Sequence, residues 1–89
     1  MPEITARALG RREFEVGATV DGAGHSWRVR VPRELAARLG ADPAAVARAT
    51  IAFLLDREPP GSILASFDCT VVSGYFPEYD AELPGYLRR

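Results

Sequence analysis

The sequence predicts an α+β domain, in which a three-stranded antiparallel β-meander is followed by two or three helices packed on one face of the sheet. The first third of the chain alternates between apolar and polar residues, as half-buried strands do. Beyond residue 31 the apolar residues recur at helical spacing instead. The 89 residues are 47% hydrophobic and 26% charged, which is typical of one small folded domain. We place this domain at residues 1–77 and a C-terminal tail at residues 78–89.

Two strands of the meander alternate cleanly, over residues 14–20 and 25–31, and a less regular strand precedes them at residues 4–9. Residues 21–24 read Asp-Gly-Ala-Gly, which favours a hairpin turn because Gly adopts positive φ without steric cost. The third strand has two distinct faces, an apolar one with Trp27, Val29 and Val31 and a polar one with Ser26, Arg28 and Arg30.

The turns set a register for each hairpin. A first turn over residues 10–12 places Arg7 opposite Glu15, and a second turn over residues 21–24 places Arg30 opposite the same Glu15. We therefore expect an Arg7–Glu15–Arg30 ladder on the outer face of the sheet. Opposite charges directly across strands add roughly 0.2–1 kcal/mol each.

A short first helix is predicted after the meander. Pro32 suits the first turn of a helix, and residues 34–39 are good helix formers. Gly40 follows them and can end the helix in the left-handed conformation.

The central helix is predicted over residues 43–57. Asp42 is a favourable N-cap residue and Pro43 suits the first helical position, whereas Pro59 and Pro60 end the helix because neither donates a backbone hydrogen bond. Its apolar surface is wide enough for a helix that is covered on most sides, and consists of Val46, Ala47, Thr50, Ile51, Phe53, Leu54 and Leu55.

The last third has a weaker pattern. Ser62 can cap a turn, and Asp68 can cap a second short helix that Pro77 ends. The tail at residues 78–89 has no helical or strand period. One face of the predicted short helix is apolar and consists of Phe67, Val71, Val72, Tyr75 and Phe76.

Charge and cysteine content favour a cytoplasmic protein without a membrane anchor. The net charge is −1, so the whole molecule does not attract polyanions. No apolar run approaches the roughly 18 residues that span a bilayer, and we expect no signal peptide. Cys69 is the one cysteine and cannot form an internal disulfide, which suits a reducing compartment.

The sequence offers little for catalysis, so we predict no enzyme, no cofactor and no metal. A Cys69–His25 pair is the one conceivable nucleophile with a base, and nothing in the sequence brings the two together. The acidic residues Glu78, Asp80 and Glu82 lack the glycine and spacing of a calcium loop and indicate a solvated segment.

Residues 26–58 read SWRVRVPRELAARLGADPAAVARATIAFLLDRE, and this order of strand, Pro, short helix and longer helix resembles the ribbon-helix-helix proteins, which are bacterial repressors and antitoxins. The resemblance implies a DNA-binding regulator in which this strand pairs with a second copy. Ser26, Arg28 and Arg30 would then face the bases, where Arg can bind guanine. The predicted meander offers an alternative to DNA binding, in which glutamates on the same face of the sheet neutralise these arginines.

A second resemblance covers residues 49–83, which read ATIAFLLDREPPGSILASFDCTVVSGYFPEYDAEL. The stretch is similar to a group of small uncharacterised bacterial proteins that share the REP break after the helix, the SIL turn and the YFPEY ending. That resemblance implies a self-contained fold and no particular chemistry.

The functional prediction is a non-catalytic interaction or regulatory module that binds a protein partner or itself as a homodimer. The ribbon-helix-helix type of DNA-binding regulator is the alternative, in which nucleic acid is the partner. Aromatic residues are enriched at interfaces, but Trp27 and Phe76 have the spacing of core residues. Three side chains beyond the last predicted helix either fold back over the core or contact a partner: Tyr79, Tyr86 and Leu87.

Overall fold

The sheet has four strands in the order β1-β2-β3-β4 in the computed structural model, which describes residues 3–88. Strands β1 (Ile4–Ala8), β2 (Glu13–Val20) and β3 (Ala23–Arg30) form the antiparallel meander, and β4 (Ser66–Asp68) pairs with β3 in parallel. The α+β class is confirmed, whereas the prediction of a purely antiparallel three-stranded sheet is wrong. Strand β4 has only three residues, too few to show an alternating pattern in the sequence, so the strand is recognised only from its pairing with β3.

Helices follow the meander on the face of the sheet that is apolar. Helix α2 contacts β1 and β2, and α4 packs on α2. The structure has four helices in its described part, one more than the upper end of our prediction, and two 3-10 turns. The helices are α1 (Arg33–Leu39), α2 (Pro43–Leu55), α3 (Val72–Tyr75) and α4 (Tyr79–Leu87), and the 3-10 turns are Pro60–Ser62 and Cys69–Val71.

The first hairpin has the predicted register. Arg7 lies opposite Glu15, and the two side chains form a hydrogen-bonded ion pair at 2.7 Å. The Leu9 amide donates to the Glu13 carbonyl at 2.8 Å and extends the pairing by one residue toward the turn.

The second hairpin is shifted by two residues from the predicted register. Asp21 and Gly22 both have positive φ, at 52° and 82°, and make a two-residue turn in place of the expected four-residue turn. Glu15 consequently faces Arg28 and not Arg30, so the predicted third member of the charge ladder is wrong. A shift of two residues leaves every side chain on its predicted face, because side chains alternate with a period of two.

Helices α1 and α2 form where the sequence predicts them. Pro32 is the N-cap of α1, and Gly40 ends the helix with a φ of 62°. Asp42 is the N-cap of α2 with Pro43 at the first helical position, although the Asp42 side chain makes no capping hydrogen bond. Helix α2 ends at Leu55, two residues before the predicted end.

The segment predicted as an irregular tail contains a helix. Helix α4 packs on α2 through Tyr79 and Leu83, which are both 1% exposed. Pro84 and Gly85 lie inside α4, and both residue types disfavour a helix, which hides the helical pattern in the sequence.

An aromatic cluster joins the helices around Phe53, which is fully buried in α2. The rings of Phe76, Tyr79 and Tyr86 meet the Phe53 ring edge-on, with centroid separations of 5.9, 5.1 and 5.6 Å. The Arg57 guanidinium carbon lies 3.6 Å from the centroid of the same ring. Edge-on aromatic pairs and a cation over a ring face are both favourable geometries.

We predict that Phe53→Ala lowers the free energy of unfolding by about 3–5 kcal/mol, because it leaves a cavity where three helices meet. Chemical denaturation followed by circular dichroism measures the loss. Leu64→Ala is the control, since Leu64 is 55% exposed and its truncation opens no cavity. A loss below about 1 kcal/mol for Phe53→Ala would contradict the central role of α2.

Candidate functional site

The predicted DNA-contacting residues lie in the middle of the sheet. Strand β3 pairs with β2 along one edge and with β4 along the other, so it has no free edge over Arg28–Arg30 for a second copy. Ser26 and Arg28 lie on the outer face, with Arg28 opposite Glu15. Arg30 forms an ion pair with Asp68 at 3.6 Å. The outer face therefore alternates in charge, which does not suit binding to phosphate groups.

The three predicted partner contacts pack within the chain. Tyr79 is buried, and Tyr86 and Leu87 are half-buried against the core. The Tyr86 hydroxyl donates to the Asp56 carboxylate and accepts from the Arg57 guanidinium. Of the two alternatives that the sequence leaves open, the structure has the tail folded back.

A buried polar cluster connects α2, α4 and the turn after β4. The Thr50 hydroxyl donates to the Val46 carbonyl at 2.8 Å, so it accepts from the Tyr79 hydroxyl, which lies 2.8 Å away. Cys69 Sγ lies 3.6 Å from the same Thr50 oxygen. Burial raises the pKa of both the Cys69 thiol and the Tyr79 hydroxyl, so both stay protonated and neutral at physiological pH.

Cys69 and His25 are far apart. The His25 ring stacks on Trp27, with 6.0 Å between the ring centroids, toward the start of β3. Cys69 directly follows Asp68, which pairs with Arg30 at the opposite end of β3. His25 and Arg30 are five residues apart on β3, which corresponds to about 17 Å along the strand. This separation is too large for proton transfer between the His25 and Cys69 side chains.

The acidic residues of the tail are occupied by arginines. Arg57 forms ion pairs with Glu78 at 3.0 Å and with Glu82 at 2.7 Å, and Arg38 lies 3.8 Å from Asp80. Burial alone would lower the pKa of Arg57, but its hydrogen bonds outweigh that effect and raise the pKa further above neutrality. Arg57 therefore remains charged and fixes α4 to the end of α2.

Exposed apolar side chains concentrate in one groove. Of the large hydrophobic residues that are exposed between residues 3 and 88, Leu64 (55% exposed), Val71 (41%) and Tyr75 (70%) all line it, and Leu9 alone lies elsewhere. The groove has a volume of about 300 Å³. Clusters of exposed apolar side chains on a folded protein mark binding surfaces far more often than single ones do.

Buried and half-buried apolar residues complete the groove. Leu54 from α2, Ile63 after the first 3-10 turn and Val72 from α3 are buried, with 5%, 7% and 4% exposure. Phe67 from β4 and Phe76 after α3 are half-buried beside them. Four segments of the chain thus contribute to a single continuous apolar surface.

Hydrogen bonds hold the backbone around the groove. Pro59 and Pro60 end the helical region and begin the 3-10 turn that leads to Leu64. The Arg28 amide donates to the Ala65 carbonyl at 2.8 Å, which ties the next segment to the sheet. The Asp68 carboxylate accepts from the Thr70 amide and hydroxyl, both at 2.8 Å, as the sequence predicted for a cap.

Two polar residues line the groove, Glu58 and Ser62. Within residues 3–88, Glu58 forms no ion pair, and no arginine lines the groove. All five residues predicted on the apolar face of one short helix line the groove: Phe67, Val71, Val72, Tyr75 and Phe76. The single helix is wrong, because Phe67 lies in β4 and a 3-10 turn precedes α3. The sequence pattern does not indicate Leu64, because an isolated leucine between turns has no periodic pattern around it.

We predict that Cys69 does not react with a thiol reagent such as Ellman's reagent in the folded protein. The thiol is 0% exposed and burial raises its pKa, so little thiolate forms and the reagent has no access. Unfolding in guanidinium chloride should release one equivalent of reactive thiol per chain. Rapid reaction of the native protein would show that the buried cluster opens readily.

We predict that Glu78→Gln destabilises the protein at neutral pH and that this effect disappears in acid. Hydrogen bonds to its own backbone amide and to Arg57 hold the pKa of Glu78 below its ordinary value of 4.5. The ion pair therefore stabilises the fold above that pH and is lost as the pH falls through the lower, folded-state pKa.

Denaturation curves of both proteins across the acidic range test this prediction. The wild type and Glu78→Gln should differ at neutral pH and converge as the pH falls through the lowered folded-state pKa of Glu78. Asp80→Asn is the matched control, because the Asp80–Arg38 pair is long and exposed and contributes little. A constant difference between wild type and Glu78→Gln at every pH would contradict the assigned ion pair.

No protein-family model, curated protein or solved structure matches the chain. Among the described residues, no group of three or more His, Cys, Asp or Glu side chains is arranged to hold a metal ion. None of the helices between residues 3 and 88 is long and apolar enough to cross a membrane.

Proposed function

We propose that the protein is a non-catalytic interaction module that binds an apolar segment of a partner protein in the groove. The observation that carries the proposal is the gathering of Leu64, Val71 and Tyr75 around one depression while their apolar surface remains exposed. Burial of such surface contributes roughly 25 cal/mol per Å² to association. Tyrosine is also among the residues that contribute most to binding at interfaces.

The charge of the groove specifies the partner further. Glu58 is the one charged residue in its lining and has no ion-pair partner among the described residues. A bound segment with an acidic residue at this position would be repelled, whereas a basic residue would pair with Glu58. The proposed ligand is accordingly a short segment with large apolar anchors and one Arg or Lys.

The groove is suited to binding because little of it needs to be ordered on association. Its walls are held by the Asp68 cap, the pairing of β4 with β3 and the contact of Phe76 with Phe53. A surface that is fixed before binding avoids much of the entropy cost of association.

We propose no reaction at the groove, because Cys69 is buried and protonated and lies far from His25. We place the interaction in the cytoplasm, because the lone Cys69 is a free thiol, which suits a reducing compartment. Neither side chain is available as a nucleophile or a base at the groove.

Selection from a displayed peptide library, followed by binding measurements, tests the proposal. We expect the folded protein to select peptides with two large apolar residues and one Arg or Lys. Tyr75→Glu and Leu64→Glu should abolish their binding, because each places a charge on the apolar surface. Leu9→Glu is the matched control and should bind normally, since Leu9 is exposed to a similar degree but lies outside the groove.

A charge exchange tests the role of Glu58. Glu58→Arg should shift preference from a selected Arg-containing peptide to its Glu-containing counterpart. Selection of no peptide, or equal loss of binding in Leu9→Glu and Tyr75→Glu, would refute the proposal. Light scattering completes the test by measuring the molar mass of the protein in solution. If the wild type self-associates and Tyr75→Glu does not, the partner in the groove is a second copy of this chain and not another protein.

A further inference from the structure

A second depression, of about 700 Å³, lies at the other end of α2 and has a very different lining. Arg11 and Arg12 from the β1–β2 connection and Arg33 from the start of α1 surround it. The remaining lining residues are small or apolar, namely Val31, Ala36, Ala37, Gly40, Ala41 and Pro43. The three arginines thus stand around an apolar surface made by the turn between α1 and α2.

The backbone fixes the two sides of this depression relative to each other. The Val31 amide donates to the Arg12 carbonyl at 2.8 Å, so the β1–β2 connection is tied to the segment that enters α1. Gly40, with a φ of 62°, turns the chain from α1 into α2. The Gly40 and Ala41 amides donate to the Ala37 and Ala36 carbonyls at 3.1 Å and complete the turn.

The arginines around this depression form no ion pairs within the part of the chain that the structure describes. Arg7, Arg30, Arg38 and Arg57 all form ion pairs with carboxylates. Arg11, Arg12 and Arg33 form no ion pair with any of residues 3–88, which is also true of Arg28, Arg48 and Arg88. The first three differ because they line one depression together, and no Asp or Glu lines it. Cations around one depression repel one another, and an anion bound among them would relieve that repulsion.

We propose that this depression binds a small molecule that carries a phosphate monoester. A guanidinium binds phosphate through two parallel hydrogen bonds, and a phosphate monoester carries close to two negative charges at neutral pH. The apolar floor provides a surface for the organic part of the ligand.

The surroundings favour a compact phosphate over a nucleic-acid strand. Binding to nucleic acid generally uses a run of basic residues that neutralise several phosphates in succession. Here Glu13 follows Arg12 and Glu34 follows Arg33 in the chain, so no run of more than two basic residues occurs. The proposal is independent of the apolar groove, because Pro43 and Leu54 are about 17 Å apart along α2.

Titration with phenyl phosphate, followed by amide NMR, tests the proposal. We expect saturable shifts confined to residues 11–12, residues 31–41 and their immediate neighbours. The double variant Arg12→Gln/Arg33→Gln should weaken binding about tenfold or more, because hydrogen bonds to a charged group are lost. Arg33→Lys keeps the charge but loses the two-point geometry, and should weaken binding by a smaller factor.

Arg28→Gln is the matched control, since Arg28 is an exposed arginine on the outer face of the sheet and should leave binding within about twofold of wild type. Absence of saturation, or equal weakening by Arg28→Gln, would refute the site. A single-stranded oligonucleotide is titrated in parallel. If it binds more tightly than phenyl phosphate and the double variant removes that binding, a nucleic-acid surface replaces the proposed small-molecule site.

Discussion

The packing of the C-terminal half depends on the contact between the Arg57 guanidinium and the face of the Phe53 ring, one helical turn earlier. The Arg57 side chain is only 18% exposed, and such burial of a charge is unfavourable unless its donors are satisfied. Here they are, because the guanidinium donates to Glu78, Glu82, the Tyr86 hydroxyl and the Phe53 carbonyl. One cation therefore fixes a helix of mixed polarity, α4, to the end of α2, and removing it would break both ion pairs that join the two helices.

The proposed binding groove is built on this same cluster. Phe76 contacts Phe53 edge-on and also lines the groove, so the position of that part of the wall depends on the packing around Phe53. Leu54 and Glu58, which also line the groove, directly follow Phe53 and Arg57 in the chain. A mutation that loosens the aromatic cluster would thus affect stability and ligand binding together. Variants at the exposed residues of the groove separate the two effects.

Features that are encoded locally could be predicted from the sequence, and features that depend on distant partners could not. Strand faces, α1 and α2 follow from periodicity and from residues such as Gly40 and Pro43. The predicted register of the second hairpin was wrong because Asp21, a residue other than glycine, adopts positive φ. Arg57 and Glu78 lie in the REP and YFPEY segments, but the sequence did not indicate that they pair across 21 residues. The groove was predicted only as an apolar face, because its other wall comes from separate segments.

Strand β4 argues against the DNA-binding interpretation of the arginines on β3. A ribbon-helix-helix dimer requires a free edge along β3, and the backbone of residues 66–68 occupies that edge over Arg28–Arg30. The same strand brings Asp68 to Arg30 and reduces the positive charge that a DNA reader would need. It also places Phe67 in the groove, on the inner side of the sheet opposite Val29. Three residues with no periodic signal therefore cover part of the β3 edge and help to build the groove in which we propose that a partner binds.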